Sequence, residues 1–143
     1  MKISAKPVRR SAPRWTARLA STAVVGLVAL AACGSKPSYC SARTNLQNSV
    51  KALANFNPSS GVSGLKAQLM KIQTDANAVV SDAKSDFPSQ TSAIKSSVDA
   101  FASAVNALPA NPTAAQTAKV ATSASSVVSS TQDFVNATNS KCS

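Results

Sequence analysis

Between Leu65 and Ala83 the apolar residues Leu65, Leu69, Ile72, Ala76, Val79 and Ala83 recur at intervals of four, three, four, three and four. That is the seam of a helix packed in a bundle or coiled coil. The same pattern, kept less strictly, runs through Leu46, Val50 and Leu53 with Phe56 one turn on. It returns in Ile94, Val98, Phe101, Val105 and Leu108, and again in Val120, Ala124, Val127, Thr131, Phe134 and Thr138. Breakers separate these stretches: Asn57-Pro58-Ser59-Ser60-Gly61, Pro88, and Pro109-Ala110-Asn111-Pro112. The sequence thus predicts a first helix over roughly Tyr39 to Phe56, with Ser38 as its cap, and a second that ends near Asp86 because Pro88 disfavours helical geometry at Phe87. A third stops before Pro109, and a fourth runs from about Thr113 to Lys141, a cation near the negative end of the helix dipole. No stretch alternates β-branched and polar residues around hairpin turns, so the expected fold is all-α.

Ahead of the helices come Lys2, Lys6, Arg9, Arg10, Arg14 and Arg18, and then an apolar run of 14 residues from Leu19 to Ala32. A spanning helix needs ~20 such residues. Cationic, apolar and small-residue regions in that order are the plan of a secretory signal. The run ends in Leu30-Ala31-Ala32-Cys33-Gly34, which resembles the lipobox of bacterial lipoproteins; an ordinary signal with an incidental Cys is the plainer alternative. The resemblance implies that residues 1–32 are removed as a signal peptide and that Cys33 becomes a lipidated N-terminus. The protein would then be exported and held on the outer face of the cytoplasmic membrane by its acyl chains. Residues 33–37 form the tether in this reading and 38–143 the helical domain. Arg9-Arg10 raises the twin-arginine route, but Ser11-Ala12-Pro13 follow where that route's signals carry an apolar pair. General secretion fits better.

Three cysteines are an odd count for an exported chain. With Cys33 taken by lipid, Cys40 and Cys142 remain, and in an oxidising compartment they are expected to form one disulfide. Closing a loop of ~100 residues is worth up to ~4.7 kcal/mol in the chain-entropy model. The mature chain needs such help, because Leu, Ile, Val and Phe make up 21 of its 111 residues, against 19 Ala. A thin helical core is expected. Pro88 leaves two topologies open, a hairpin turn or a kink in one long helix. An antiparallel up-down-up-down four-helix bundle buries more of the scarce apolar surface and places the first helix's start beside the last helix's end, as the disulfide requires.

The chain carries 15 Lys and Arg against 5 Asp and Glu, a net charge of +10, which invites a nucleic-acid reading. Six of these cations lie in the leader, and the nine that follow exceed the acids by only four. The aromatic interleaving expected for nucleic acid is missing as well, so no nucleic-acid partner is expected. There is no His and no Glu, and no Cys/His pair, CxxC, phosphate loop or metal-ligand spacing appears; no catalytic residue, metal or cofactor is expected beyond the lipid on Cys33. Asp75, Asp82 and Asp86, beside Lys71 and Lys84, read as a solvated helix face. Phe56, Phe87, Phe101 and Phe134 read as core, although small-residue packing around them would also suit an interior cavity for a lipid-like ligand. The Ser- and Thr-dense segment Ala121 to Thr131 reads as a solvent-facing side, with surface glycosylation as the alternative.

Lys36, Arg43 and Lys141 are expected to gather at the disulfide end, close to the bilayer, where basic groups face anionic headgroups or serve as helix-dipole partners. The lipobox, Tyr39-Cys40-Ser41-Ala42-Arg43 with Leu46-Gln47 and Val50 to Leu53 after it, and the terminal Lys141-Cys142 resemble small exported lipoproteins of actinobacteria with a paired-Cys helical domain. The resemblance implies a cell-envelope location and brings no catalytic residue. The expected function is a non-enzymatic envelope module, binding or structural, held to the bilayer by its lipid and meeting an envelope protein. The alternative is a carrier of lipid or a small hydrophobic ligand.

Overall fold

The computed structural model describes residues 35–56 and 60–143. The leader, Cys33 and the Asn57–Ser59 part of the first turn lie outside the described residues. Four helices and no strand occur among the described residues: α1 (Ser38–Ala54), α2 (Gly61–Ala83), α3 (Pro88–Asn106) and α4 (Ala114–Cys142). None is long and apolar enough to cross a membrane.

The predicted seam of α2 is its buried face, Leu65, Leu69, Ile72, Ala76, Val79 and Ala83. In α3 the buried residues Thr91, Ile94, Val98, Phe101 and Val105 keep the same rhythm. Phe101, Phe134, Leu46, Ile72 and Ile94 are the largest fully buried side chains, each worth about 1.5–3 kcal/mol of burial. Each helix packs on its neighbour in sequence, and α1 also packs on α4, while the diagonal pairs α1 with α3 and α2 with α4 do not meet. The apolar faces therefore enclose one core.

The ends differ from expectation by a few residues, for local reasons. Ser38 is the first residue of α1 and not its cap; Pro37, at φ −51° and ψ 146°, holds the cap position and its carbonyl accepts from Cys40 N–H at 2.9 Å. α2 stops at Ala83, short of Asp86, where Phe87 N–H closes back on the Ala83 carbonyl at 2.8 Å. Phe87 is then forced out of helical geometry (φ −135°, ψ 58°) by the following proline. Pro88 is no kink: it opens α3 at the first helical position, where its fixed φ and missing N–H cost nothing. Thr113 caps α4 in a reciprocal capping box, its hydroxyl accepting from Gln116 N–H at 3.3 Å while the Gln116 side chain accepts from Thr113 N–H at 2.8 Å.

Gly61 starts α2 at φ +64°, a left-handed geometry that favours glycine. Three residues on, a Cβ at Gly64 would lie 2.6 Å from the Ser60 Cβ and 3.4 Å from the Phe56 ring. Glycine there lets the Phe56 edge lie against the helix.

Phe134 is fully buried and meets two other aromatic rings. Phe134→Ala is expected to cost about 3–5 kcal/mol in urea unfolding with the disulfide intact. A loss below about 1 kcal/mol would mean that this part of the core is not packed as described.

Candidate functional site

The start of α1 and the end of α4 meet through Cys40 and Cys142, whose sulfurs lie 2.01 Å apart, at disulfide distance, with Cα atoms at 5.5 Å and 102 residues between them in sequence. Tyr39, the chain's single tyrosine, is buried beside this pair. Its ring stands edge-on to Phe87 at 5.5 Å and to Phe134 at 6.5 Å, and the two phenylalanines meet edge-on at 5.9 Å. Edge-to-face pairs of this kind add about 0.5–1.5 kcal/mol each beyond burial. The triad ties α1 and α4 to the α2–α3 turn, and so brings the Lys84 to Gln90 segment to the disulfide end.

The three cations expected at this end are there, in different settings. Lys36 Nζ donates to the Cys142 carbonyl at 3.2 Å, neutralising the negative end of the α4 dipole. Arg43 reaches across to α4 and donates from Nη1 to Thr138 Oγ1 at 3.4 Å, and Thr138 in turn donates to the Phe134 carbonyl at 2.7 Å. Arg43 Nε is buried with no acceptor among the described residues. Lys141 is exposed in the last turn of α4. An open cleft of about 380 Å³ lies between Lys36, Arg43, Asn45 and the cystine. Two of the three cations thus act inside the protein, as bonds from α1 and its lead-in to the end of α4.

A second polar cluster was not expected. Asp75 belongs to the face read as solvated, yet its carboxylate accepts from the hydroxyl of fully buried Ser49, and Lys71 reaches the same oxygen at 3.4 Å. The Asp75 side chain is only 13% exposed, whereas Lys71 is 61% exposed. Gln68 Nε2 donates to the Ser49 carbonyl at 2.9 Å, so the two helices are pinned at one point of their contact. A signal for this was present: Ser49 falls three residues after Leu46 and four before Leu53, on the apolar stripe of α1, where a hydroxyl needs a partner. Asp99 behaves as a surface acid, paired with Lys95 at 2.9 Å with both side chains 62% exposed.

The dense hydroxyls of α4 are largely turned back on their own helix. Thr122, Ser123, Ser125 and Ser126 donate to the carbonyls four residues earlier, at 3.0, 3.1, 3.0 and 3.3 Å. Ser97 and Ser130 hydroxyls meet at 2.7 Å between α3 and α4. Among the described residues no group of three His, Cys, Asp or Glu side chains is placed to hold a metal ion. No family model, curated protein or solved structure matches this chain.

Two measurements check this geometry. Reducing the Cys40–Cys142 bond should lower the thermal midpoint by about 10–20 °C, because the closed loop is long; an unchanged midpoint would mean the cysteines are not paired. Asp75→Ala should destabilise by about 1–3 kcal/mol by leaving the buried Ser49 hydroxyl without its acceptor, while Asp82→Ala stays within about 0.5 kcal/mol. Equal effects would remove Asp75 from the α1–α2 contact.

Proposed function

We propose that the mature protein is an exported bacterial lipoprotein, anchored through lipid on Cys33 to the outer face of the cytoplasmic membrane, whose residues 38–143 act as a non-enzymatic cell-envelope module, binding or structural. In this reading general secretion delivers the chain, residues 1–32 are removed, and the four helices run up-down-up-down with the disulfide end toward the bilayer. In this reading it is akin to the small exported actinobacterial lipoproteins that its helix-start motif and terminal Cys resemble.

The single observation that carries the reading is the placement of Leu30-Ala31-Ala32-Cys33 immediately ahead of a domain that opens on a cystine. Cys33 precedes Cys40 by seven residues, a reach of about 25 Å at full extension. A domain on so short a tether stays beside its anchor. An antiparallel α1 and α4 is supported by two pairs that cross between them: Cys40 with Cys142 and, three residues on in α1 but four residues back in α4, Arg43 with Thr138.

The module reading is favoured over a carrier by the state of the core. Phe101, Phe134, Leu46, Ile72 and Ile94 fill the space among the helices and are fully buried, as expected of a close-packed interior.

Cys33→Ala tests the anchor. Metabolic labelling with a fatty acid should disappear, and the protein should either leave the membrane fraction or accumulate with its leader uncut. Unchanged lipid labelling and unchanged membrane retention would overturn the reading.

A further inference from the structure

Besides its buried stripe, α4 carries a second heptad seam on its outer side. Lys119, Thr122, Ser126, Ser129 and Asp133 recur at intervals of three, four, three and four and are all exposed, the spacing that lines one face of a packed helix. α3 repeats the spacing with Ala93, Ser96, Ala100, Ser103 and Ala107, again all exposed. The two faces lie side by side. A groove of about 720 Å³ toward the α3–α4 connection and a shallower one of about 670 Å³ beyond it share Ala100, Thr122 and Ser126, so they form one trough between the helices. Lys119 lines the first and Asp133 the second, and neither is in an ion pair among the described residues.

We infer that this trough is a self-association surface, on which a second copy of the chain docks with its α4 antiparallel, across a two-fold axis at Ser126. The charges carry the inference. Lys119 and Asp133 each stand seven residues from Ser126, about two helical turns to either side on one face. Turning α4 end for end about Ser126 sets Lys119 of one copy opposite Asp133 of the other, and the same operation makes the second pair. A parallel pairing would set Lys119 against Lys119 and Asp133 against Asp133. The α3 face obeys the same symmetry, since Ala93 and Ala107 stand seven residues to either side of Ala100, which shares the middle of the trough with Ser126.

What lies between the charges suits close approach. Every other residue of the two seams is Ala, Ser or Thr, so a helix of the second copy can come nearer than larger side chains would allow. The hydroxyls of Ser103, Thr122 and Ser126 already donate to carbonyls of their own helices at 2.9, 3.0 and 3.3 Å. Covering them leaves none of these donors unpaired. One Lys and one Asp cancel along the face, which favours neither a polyanion nor an anionic bilayer over a surface that carries the same two charges reversed. Two helices per copy over about 21 Å make a small interface, so the pairing is reversible. Lipid anchors that confine copies to one membrane would strengthen it, although the inference does not rest on them. On a bilayer the paired helices lie along the membrane, each disulfide end within its own tether's reach of about 25 Å. The upright placement proposed above is that of a single copy.

The test uses the mature protein, purified with its cystine intact in neutral detergent with micelles in excess. Ser126→Cys places one thiol on the proposed axis. With a short bismaleimide it should give covalent dimer at least about tenfold faster than Asn48→Cys, an exposed position on α1; the chain without an added thiol gives the background. In the Ser126→Cys chain, Lys119→Asp alone and Asp133→Lys alone should each slow crosslinking at least about fivefold by setting like charges opposite each other. The two changes combined in one chain should restore the rate to within about twofold, and a mixture of the two single-charge variants should crosslink as heterodimer in preference to either homodimer. Thermal midpoints close to wild type keep folding out of the comparison. Crosslinking no faster at Ser126 than at Asn48, single charge changes without effect, or losses that the combined variant does not restore would each overturn the inference while leaving the result for Cys33→Ala untouched.

Discussion

The covalent meeting of Cys40 and Cys142 is the contact on which the rest of the helical domain depends. Three of the four helix pairs in the ring are joined by short connections, so their docking is local in sequence and entropically inexpensive. The fourth pair, α1 with α4, joins elements at opposite ends of the domain. Nothing but the cystine does there what a loop does elsewhere. Around it the remaining interactions fall into place: Lys36 on the α4 terminal carbonyl, Arg43 on Thr138, and the Tyr39 ring between Phe87 and Phe134. Each links α1, or the residues just ahead of it, to another element within two turns of the disulfide.

A ring closed in this way suits a chain with few large apolar residues. Small and hydroxyl-bearing residues such as Ala76, Ala83, Ser49, Thr91 and Thr138 are buried along with the large apolar side chains. Many of the hydroxyls satisfy themselves on carbonyls of the preceding turn, as in α4 from Thr122 to Ser126. That arrangement lets most polar residues occupy helices with their groups paired, the buried Thr131 hydroxyl and Arg43 Nε being exceptions among the described residues. It also makes the helices weak by themselves, since Ser and Thr are poorer helix formers than Ala. Closure and packing supply what local propensity lacks.

The all-helical class, the α2 seam and the cystine were legible in the sequence because each depends on spacing or on counting. The 4-3 rhythm survives into the structure as one buried stripe, and an odd cysteine count leaves a single pair once Cys33 is set aside as the proposed lipid acceptor. Helix ends were less legible, since the stop of α2 depends on a Phe87 to Ala83 hydrogen bond that periodicity cannot display. Asp75 was misread as a surface acid because its character is set by Ser49, 26 residues earlier in another helix.

The most direct test of the closing role of the cystine is amide hydrogen exchange, residue by residue, in the oxidised and reduced forms under conditions where both remain folded. If the disulfide stands in for a missing connection, reduction should strip protection from α1 and from the second half of α4, around Leu46, Val50, Phe134 and Thr138, while the α2–α3 pair around Ile72, Val79, Ile94 and Val98 keeps most of its own. Protection lost evenly across all four helices, or retained at the α1–α4 contact after reduction, would contradict that role.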